Sequence, residues 1–245
     1  MTTSDSLYNS YRTSRKALER LPFMRQAILY AVEIKNTLLD SSYRDRAAVK
    51  RLYAEREDPF GFKRDLEQFR FLRAMELLAP IHPGVKFHRA LEIGCAEGMF
   101  TRMLAVRCEA LLAVDLSDIA IERAQQTCAD LPNVRLSEWD VREDAIDGRF
   151  DLIVATGVLE YILRPSTLRN VLERITASLE PGGHLLLGNT VTDTGSENTW
   201  IGRKLIRGRL VNELFAHDPR YETIASSLDQ CVCPFAHVLL RKRSG

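Results

Sequence analysis

Five short apolar runs divide the middle of the chain, each closing on polar or glycine-bearing residues. They are Ala90, Leu91 and Ile93; Ala110-Leu111-Leu112-Ala113-Val114-Asp115; Val134 to Leu136; Phe150-Asp151-Leu152-Ile153-Val154-Ala155; and His184-Leu185-Leu186-Leu187-Gly188-Asn189. Near-continuous apolar runs of this length read as strands buried on both faces of a parallel sheet. Between them the apolar spacing changes to three and four. Helices are expected from about Met99 to Arg107, from Leu116 to Ala129 (Ile119, Ala120, Ala124 and Cys128 on one face) and from Thr167 to Leu179 (Leu168, Val171, Leu172, Ile175). Pro181-Gly182-Gly183 is read as the stop of the last of these. Arg220 to Leu228 and Phe235 to Lys242 then read as a terminal antiparallel hairpin. The sum is a doubly wound α/β sheet of seven strands with the last one reversed.

The flanks are helical. Leu18, Leu21, Met24, Ile28 and Val32 recur at helical steps in an arm spanning residues 1–57, made locally basic by Arg12, Arg15, Lys16, Arg20 and Arg25. The arm reads as a helix packed on the core or on a second subunit, a candidate homodimer contact, with a membrane-surface helix as the alternative. Arg25, Glu33 and Lys35 break any run long enough to span a bilayer. Residues 58–245 are expected to form the main domain. Asp58-Pro59-Phe60-Gly61-Phe62 makes a turn, Leu66 to Leu78 a helix, and Trp200 to Phe215 a basic helix with Arg203, Lys204, Arg207 and Arg209.

Composition narrows the setting. A net charge of +1 over 245 residues gives no global attraction to nucleic acid or to a membrane, and 45% apolar residues suffice for a core. The odd set of Cys95, Cys108, Cys128, Cys231 and Cys233, with no secretory pattern at the start, predicts reduced thiols in a cytoplasm. Cys231-Val232-Cys233 has no companion pair at zinc-like spacing and no ligand cluster appears, so no metal site is expected, with metal assistance through Asp193 or Asn189 as the alternative.

The chemistry gathers after the first strand. In Ala90-Leu91-Glu92-Ile93-Gly94-Cys95-Ala96-Glu97-Gly98 the spacing is Glu-x-Gly-x-x-x-Gly. Ala96 stands where a dinucleotide fingerprint needs its middle glycine, and Glu92 would repel a pyrophosphate but suits a ligand with a cationic end. Asp115 closes the second run about 20 residues on, the place of a ribose-binding acid in doubly wound folds. Taken together, Glu92/Gly94/Gly98, Asp115, Asp140 and the Phe150-Asp151 strand followed by Pro-Gly-Gly resemble a Rossmann-like class I S-adenosylmethionine-dependent methyltransferase. Asp58-Pro59-Phe60-Gly61-Phe62, with Glu67-Gln68 and Arg70 in the next helix, narrows the resemblance to the nodulation protein S family, whose members modify an oligosaccharide.

That resemblance implies S-adenosyl-L-methionine as cofactor. Glu92 would accept from its ammonium, and the backbone of Gly94, Cys95, Ala96 and Gly98 would cover its tail and sugar. Asp115 would take the ribose hydroxyls and Leu116 would pack on the adenine. Asp140 would accept from the adenine amino group while the Val141 amide donates to a ring nitrogen. The same resemblance implies lid elements within the main domain at 58–80 and 190–216. Thr156 would sit beside the cofactor, and Phe60 and Arg70 would reach it from the lid. Asp115 or Asp140 taken singly is equally a helix cap or a turn residue.

The acceptor-side groups follow from strand polarity, because active atoms collect at carboxyl ends. Thr156, Gly157, Glu160 and Tyr161 follow strand four; Asn189, Thr190 and Asp193 follow strand five. Among the histidines, His88, His184 and His217 fall on the opposite edge, His82 lies in a linker, and His237 alone is expected on the correct edge. Glu160, Tyr161 and His237 are the candidate catalytic residues, Glu160 as base or orienting acid against a solvated helix glutamate. The acceptor is expected to be a small molecule, saccharide or glycosylated, methylated at nitrogen or oxygen; a non-sugar natural product is the alternative. Two other classes stay in view, a nicotinamide oxidoreductase and a catalytically silent cofactor-binding protein. Nucleic acid is not an expected partner, since the basic helix lacks interleaved aromatics beyond Trp200.

Overall fold

The computed structural model describes residues 46–81, 83–162, 165–191, 207–229 and 234–244. The elements are α1 (Arg46–Glu55), α2 (Asp65–Leu78), β1 (Phe87–Ile93), α3 (Met99–Ala105), β2 (Cys108–Asp115), α4 (Asp118–Thr127) and β3 (Val134–Glu138). They continue as β4 (Phe150–Thr156), a 3-10 turn (Leu159–Tyr161), α5 (Pro165–Ser178), β5 (Leu179–Thr190), α6 (Arg207–Ala216), β6 (Tyr221–Asp229) and β7 (Phe235–Lys242). The expectations for the helical arm before residue 46, and for His82, Asp193, Trp200, Arg203, Lys204, Cys231 and Cys233, lie outside the described residues. Among the described residues no helix is long and apolar enough to cross a membrane.

The sheet runs β3-β2-β1-β4-β5-β7-β6, with β1 to β5 parallel and β7 antiparallel to both neighbours. This is the expected seven-stranded order with a reversed last strand. Both faces are apolar because successive side chains in a strand point opposite ways. Leu91, Ile153 and Leu185 pack with Val171 and Ile175 of α5 and Phe215 of α6, whereas Ala90, Leu152 and Leu186 pack with Phe71 and Leu78 of α2 and Leu104 of α3. The order of strand addition reverses between β1 and β4, outward to β2 and β3 on one side and to β5 on the other, which opens a crevice at the carboxyl ends of that pair.

One boundary differs from the reading of the sequence. The helix before β5 ends at Ser178, and β5 begins at Leu179, so Pro181-Gly182-Gly183 lies inside the strand instead of stopping the helix. The pairing slips there: Phe150 opposes Leu179 but Leu152 opposes His184. The surplus residues bulge outward, with Gly182 at φ 76°. A Cβ on Gly183 would lie 2.9 Å from the carbonyl oxygen of Glu180, which accounts for the second glycine.

Candidate active site

The turn after β1 is shaped by its own amides. Those of Gly94 and Cys95 both donate to the carbonyl of Val114, at 2.7 and 2.9 Å, and that of Gly98 donates to Cys95. The Ala96 amide donates to Asp115 Oδ2 at 3.0 Å. Four of the five amides from Gly94 to Gly98 are therefore committed inside the protein. The turn thus meets a ligand with its backbone surface and with the acid it holds. Gly94 sits at φ 80°, and a Cβ there would meet the Val158 Cβ at 2.8 Å, so only glycine lets β1 and β4 loops approach this closely. Ala96 takes a left-handed φ of 48°.

The cavity above this turn has a volume of about 800 Å³ including its open mouth. Gly94, Ala96, Asp115, Leu116, Asp140, Val141 and Thr156, all expected at a cofactor, line it together with Phe60. Glu92, Cys95 and Gly98 do not line it. Glu92 is buried in β1 at 3% exposure beneath the turn, and its Oε2 has no hydrogen-bond partner. Burial pushes that carboxyl up to about 7. Cys95 is buried with its thiol toward the Ala96 carbonyl. Gly98 caps α3, where a Cβ would sit 3.0 Å from Cys128 Sγ, so its role is helix packing.

Two acids face the cavity with different surroundings. Asp115 accepts from the amides of Ala96 and Ser117, one on each oxygen, which leaves acceptor capacity on both for a pair of hydroxyl donors. Burial raises it to about 6 against the pull of those amides. Asp140 is clasped by Arg142, whose Nε donates to Oδ1 at 2.8 Å and whose Nη2 donates to Oδ2 at 2.5 Å. Burial works against its charge, but the Arg142 hydrogen bonds outweigh it and hold the carboxyl below its ordinary value.

Residues of the predicted N-terminal arm close the cavity. Val49 and Tyr53 of α1 join its wall with Trp139 and Arg142, none of which sequence reasoning singled out. Tyr53, Phe60, Phe62, Phe71 and Phe100 form a chain of rings with successive centroids 5.1 to 5.8 Å apart, joining α1 to α3 through the turn. Asp58 ties that turn by accepting from the amides of Phe62 and Lys63. Arg123 of α4 donates to the carbonyls of Tyr53, Arg56 and Glu57 at the end of α1 and to the Glu97 carboxylate of the glycine turn.

A second cavity of about 510 Å³ adjoins the first and shares Phe60, Phe62, Thr156, Gly157 and Tyr161 with it. Its remaining wall includes Glu67, Arg70, Glu160, Thr190, Phe235 and His237. Arg70, expected at the cofactor, lies here instead: its guanidinium stands 4.4 Å over the Phe235 ring and pairs with Glu67. Glu160 is not a solvated helix residue. It lies in the 3-10 turn, accepts from the Thr190 amide at 2.8 Å and the Thr190 hydroxyl at 3.3 Å, and burial pushes it up to about 7. His237 is 1% exposed, with Nδ1 3.3 Å from the Ser227 hydroxyl. Burial first, then the nearby Arg70 and Arg73 cations, push it down to about 3, so it is neutral. Asn189 instead spends its amide on Asn212. Among the described residues no group of acids, histidines and cysteines could hold a metal ion.

The strand order with its reversed β7, and a two-part cavity at the carboxyl edge between an acid-bearing glycine turn and Asp115, define the class I S-adenosylmethionine-dependent methyltransferase fold. The chain belongs to the nodulation protein S (NodS) family, whose model matches residues 46–201, more than half of its length. The match starts at the first residue of α1, the helix that closes the cavity. Nodulation protein S of Sinorhizobium fredii is 34% identical over 102 residues, covering 42% of this chain and 47% of that protein. Its counterpart in Azorhizobium caulinodans is 32% identical over 133 residues, covering 54% and 62%. The chain spans about half the length of the curated relatives it matches. The crystal structure of N-methyltransferase NodS from Bradyrhizobium japonicum in complex with S-adenosyl-L-homocysteine superposes with a TM-score of 0.70 at 23% identity, covering 84% of this chain and all of that one. At that identity the likeness shows the fold.

Proposed function

We propose that this chain transfers a methyl group from S-adenosyl-L-methionine to a small-molecule acceptor bearing a sugar, at an amine nitrogen. The observation that carries the reading is the junction of the two cavities at Thr156, Gly157 and Tyr161. The larger cavity fits the cofactor: Asp115 keeps acceptor capacity for a diol, Asp140 and Val141 border the base end, and the glycine turn admits close approach. The buried Glu92 beneath the turn, raised to about 7 by burial, would ionise under a cationic tail. When bound, the sulfonium supplies an electrophilic methyl group. The protein's task is then to hold the acceptor atom in line at the junction.

The smaller cavity supports a sugar amine. Phe60, Phe62, Phe71 and Phe235 give apolar ring faces, while Glu67, Arg70 and Glu160 give hydrogen-bonding edges. Only a neutral amine can attack, and Glu160, poised near 7, is matched to taking a proton from an ammonium. His237, held neutral by burial, serves as a hydrogen-bonding partner and not as the base. Tyr161, partly exposed, sits at the junction. The solved NodS is an N-methyltransferase, and membership of its family supports the same choice of atom.

The test is transfer of labelled methyl groups to a panel of amino sugars, their hydroxyl-only counterparts and non-sugar amines, with binding of S-adenosylhomocysteine and NADH measured in parallel. Tight binding of S-adenosylhomocysteine alone with label on amino sugars is the expected result. Binding without label on any acceptor identifies a silent cofactor-binding protein, and label on non-sugar acceptors alone moves the substrate class.

A further inference from the structure

We infer that Arg142 is a specificity-determining residue of the larger cavity: by occupying all but one acceptor position of the Asp140 carboxylate, it makes the pocket select a ligand base that donates a hydrogen bond there. The inference rests on the adenosyl-ligand reading above. An ionised carboxylate has about four acceptor positions, two on each oxygen. Asp140 Oδ1 accepts from the Arg142 amide at 3.0 Å and from Arg142 Nε at 2.8 Å, while Oδ2 accepts from Arg142 Nη2 at 2.5 Å. One position is left, on Oδ2. Asp140 is 2% exposed, so bulk water is not freely available to fill that position.

The clasp is fixed from behind. The Asp140 amide donates to Asp144 Oδ2 at 2.7 Å, and the Asp144 amide donates to the Asp140 carbonyl at 2.8 Å. Arg174 of α5 donates to the carbonyls of Val141, Arg142 and Asp144. Residues 140–144 are thereby held against α5, and both Asp140 and Arg142 border the cavity. Planar bidentate pairing is a property of the guanidinium fork that a lone ammonium does not reproduce.

Two consequences separate this from a merely structural ion pair. With Arg142 present the carboxylate stays charged and acceptor-only, so a base with an amino group at the facing edge is held and one with a carbonyl there is repelled. With the Arg142 side chain removed, Asp140 keeps the amide at position 142 and the Arg46 cation but loses its paired guanidinium, and burial then favours uptake of a proton. The carboxyl then offers an O–H donor, which welcomes the carbonyl. Loss of Arg142 should therefore relax selectivity, not only weaken binding.

The experiment is titration calorimetry of the full chain with S-adenosylhomocysteine and with S-inosylhomocysteine, its 6-oxo analogue. Wild type is compared with Arg142→Met, Arg142→Gln and Asp140→Asn, each checked for folding by circular dichroism. The expected result is a wild-type preference for the adenosyl ligand of about a hundredfold, falling to about tenfold or less in either Arg142 variant. Asp140→Asn, whose amide donates, should narrow or invert the preference. Should one Arg142 variant fail to fold, the other supplies the ratio. If both ligands weaken equally in a folded Arg142 variant, or if wild type shows no preference, the inference is overturned. Wild type binding neither ligand would instead overturn the adenosyl reading on which it rests.

Discussion

The Ala96 amide donates to Asp115 Oδ2 at 3.0 Å, so the acid that faces the cavity also holds the turn that forms its floor. Fold and binding are coupled at this carboxylate. Asp115→Ala removes the acceptor of two buried amides, those of Ala96 and Ser117, and should cost about 2–3 kcal/mol in urea unfolding. It should also weaken S-adenosylhomocysteine at least about a hundredfold by calorimetry, since two hydroxyls lose a charged acceptor. Reduced stability with undiminished affinity would make Asp115 only a tie for the turn.

Two glycines at positive φ separate backbone strain from crowding. Gly94→Ala brings a Cβ within 2.8 Å of the Val158 Cβ at φ 80° and should destabilise by about 3 kcal/mol, strain and overpacking together. Gly157, at φ 65°, has open space around its missing Cβ, so Gly157→Ala should cost about 1 kcal/mol and leave a folded protein. Because Gly157 lies where the cavities meet, that variant should keep cofactor affinity while turnover falls. Chemical denaturation with calorimetry on both variants checks the contrast; equal stability losses would refute it.

The sheet was legible because its strands are buried on both faces, which leaves near-continuous apolar runs such as Leu152 to Ala155 that few other structures produce. Asp115, Asp140 and Thr156 were legible too, since each closes a strand or follows one at the carboxyl edge. What escaped is what the chain brings back from a distance. Tyr53 and Val49 sit in α1 at spacings no different from core residues, and nothing local says that α1 folds over the glycine turn. Arg142 was overlooked although it stands two residues from Asp140, because an arginine in a polar turn looks solvated until the carboxylate it faces is known to be buried. Nor does the glycine spacing say where the loop amides donate: Val114 and Asp115, contributed by the next strand, take up those of Gly94, Cys95 and Ala96.

Three acids held above the ordinary carboxylate range make the unliganded protein sensitive to rising pH. Glu92 and Glu160 are pushed to about 7 and Asp115 to about 6, all above the ordinary carboxylate range. In that interval the folded protein holds protons that the unfolded chain has released, so stability falls as pH rises and levels off once the folded groups ionise. His237 acts oppositely: neutral when folded down to about 3, it favours unfolding as pH drops below the ordinary histidine value. Three acids outweigh the one histidine, so melting temperature should fall from about pH 5 to about pH 7 and level off by about pH 8. A scanning-fluorimetry series across that window checks it; a melting point that climbs from about pH 5 to about pH 7 would show that these acids are ionised at little cost.

Glu160 and His237 share the smaller cavity but carry different protonation states, and that difference predicts how each fails. Glu160→Gln keeps an oxygen for the Thr190 amide and nearly the same shape, yet removes a carboxyl poised near 7. Turnover on an amino-sugar acceptor should drop by about 10²–10⁴, with KM little changed, and the rise of rate through neutral pH should flatten. His237→Ala removes a neutral partner and leaves the Ser227 hydroxyl facing a void. Its rate should fall by about tenfold or less, with KM raised and the neutral-pH limb intact. Steady-state kinetics across pH on the two variants distinguishes the roles. If His237→Ala instead abolishes the pH dependence while Glu160→Gln preserves it, the proton passes through the histidine, and burial then holds the imidazole far less firmly neutral than its surroundings imply.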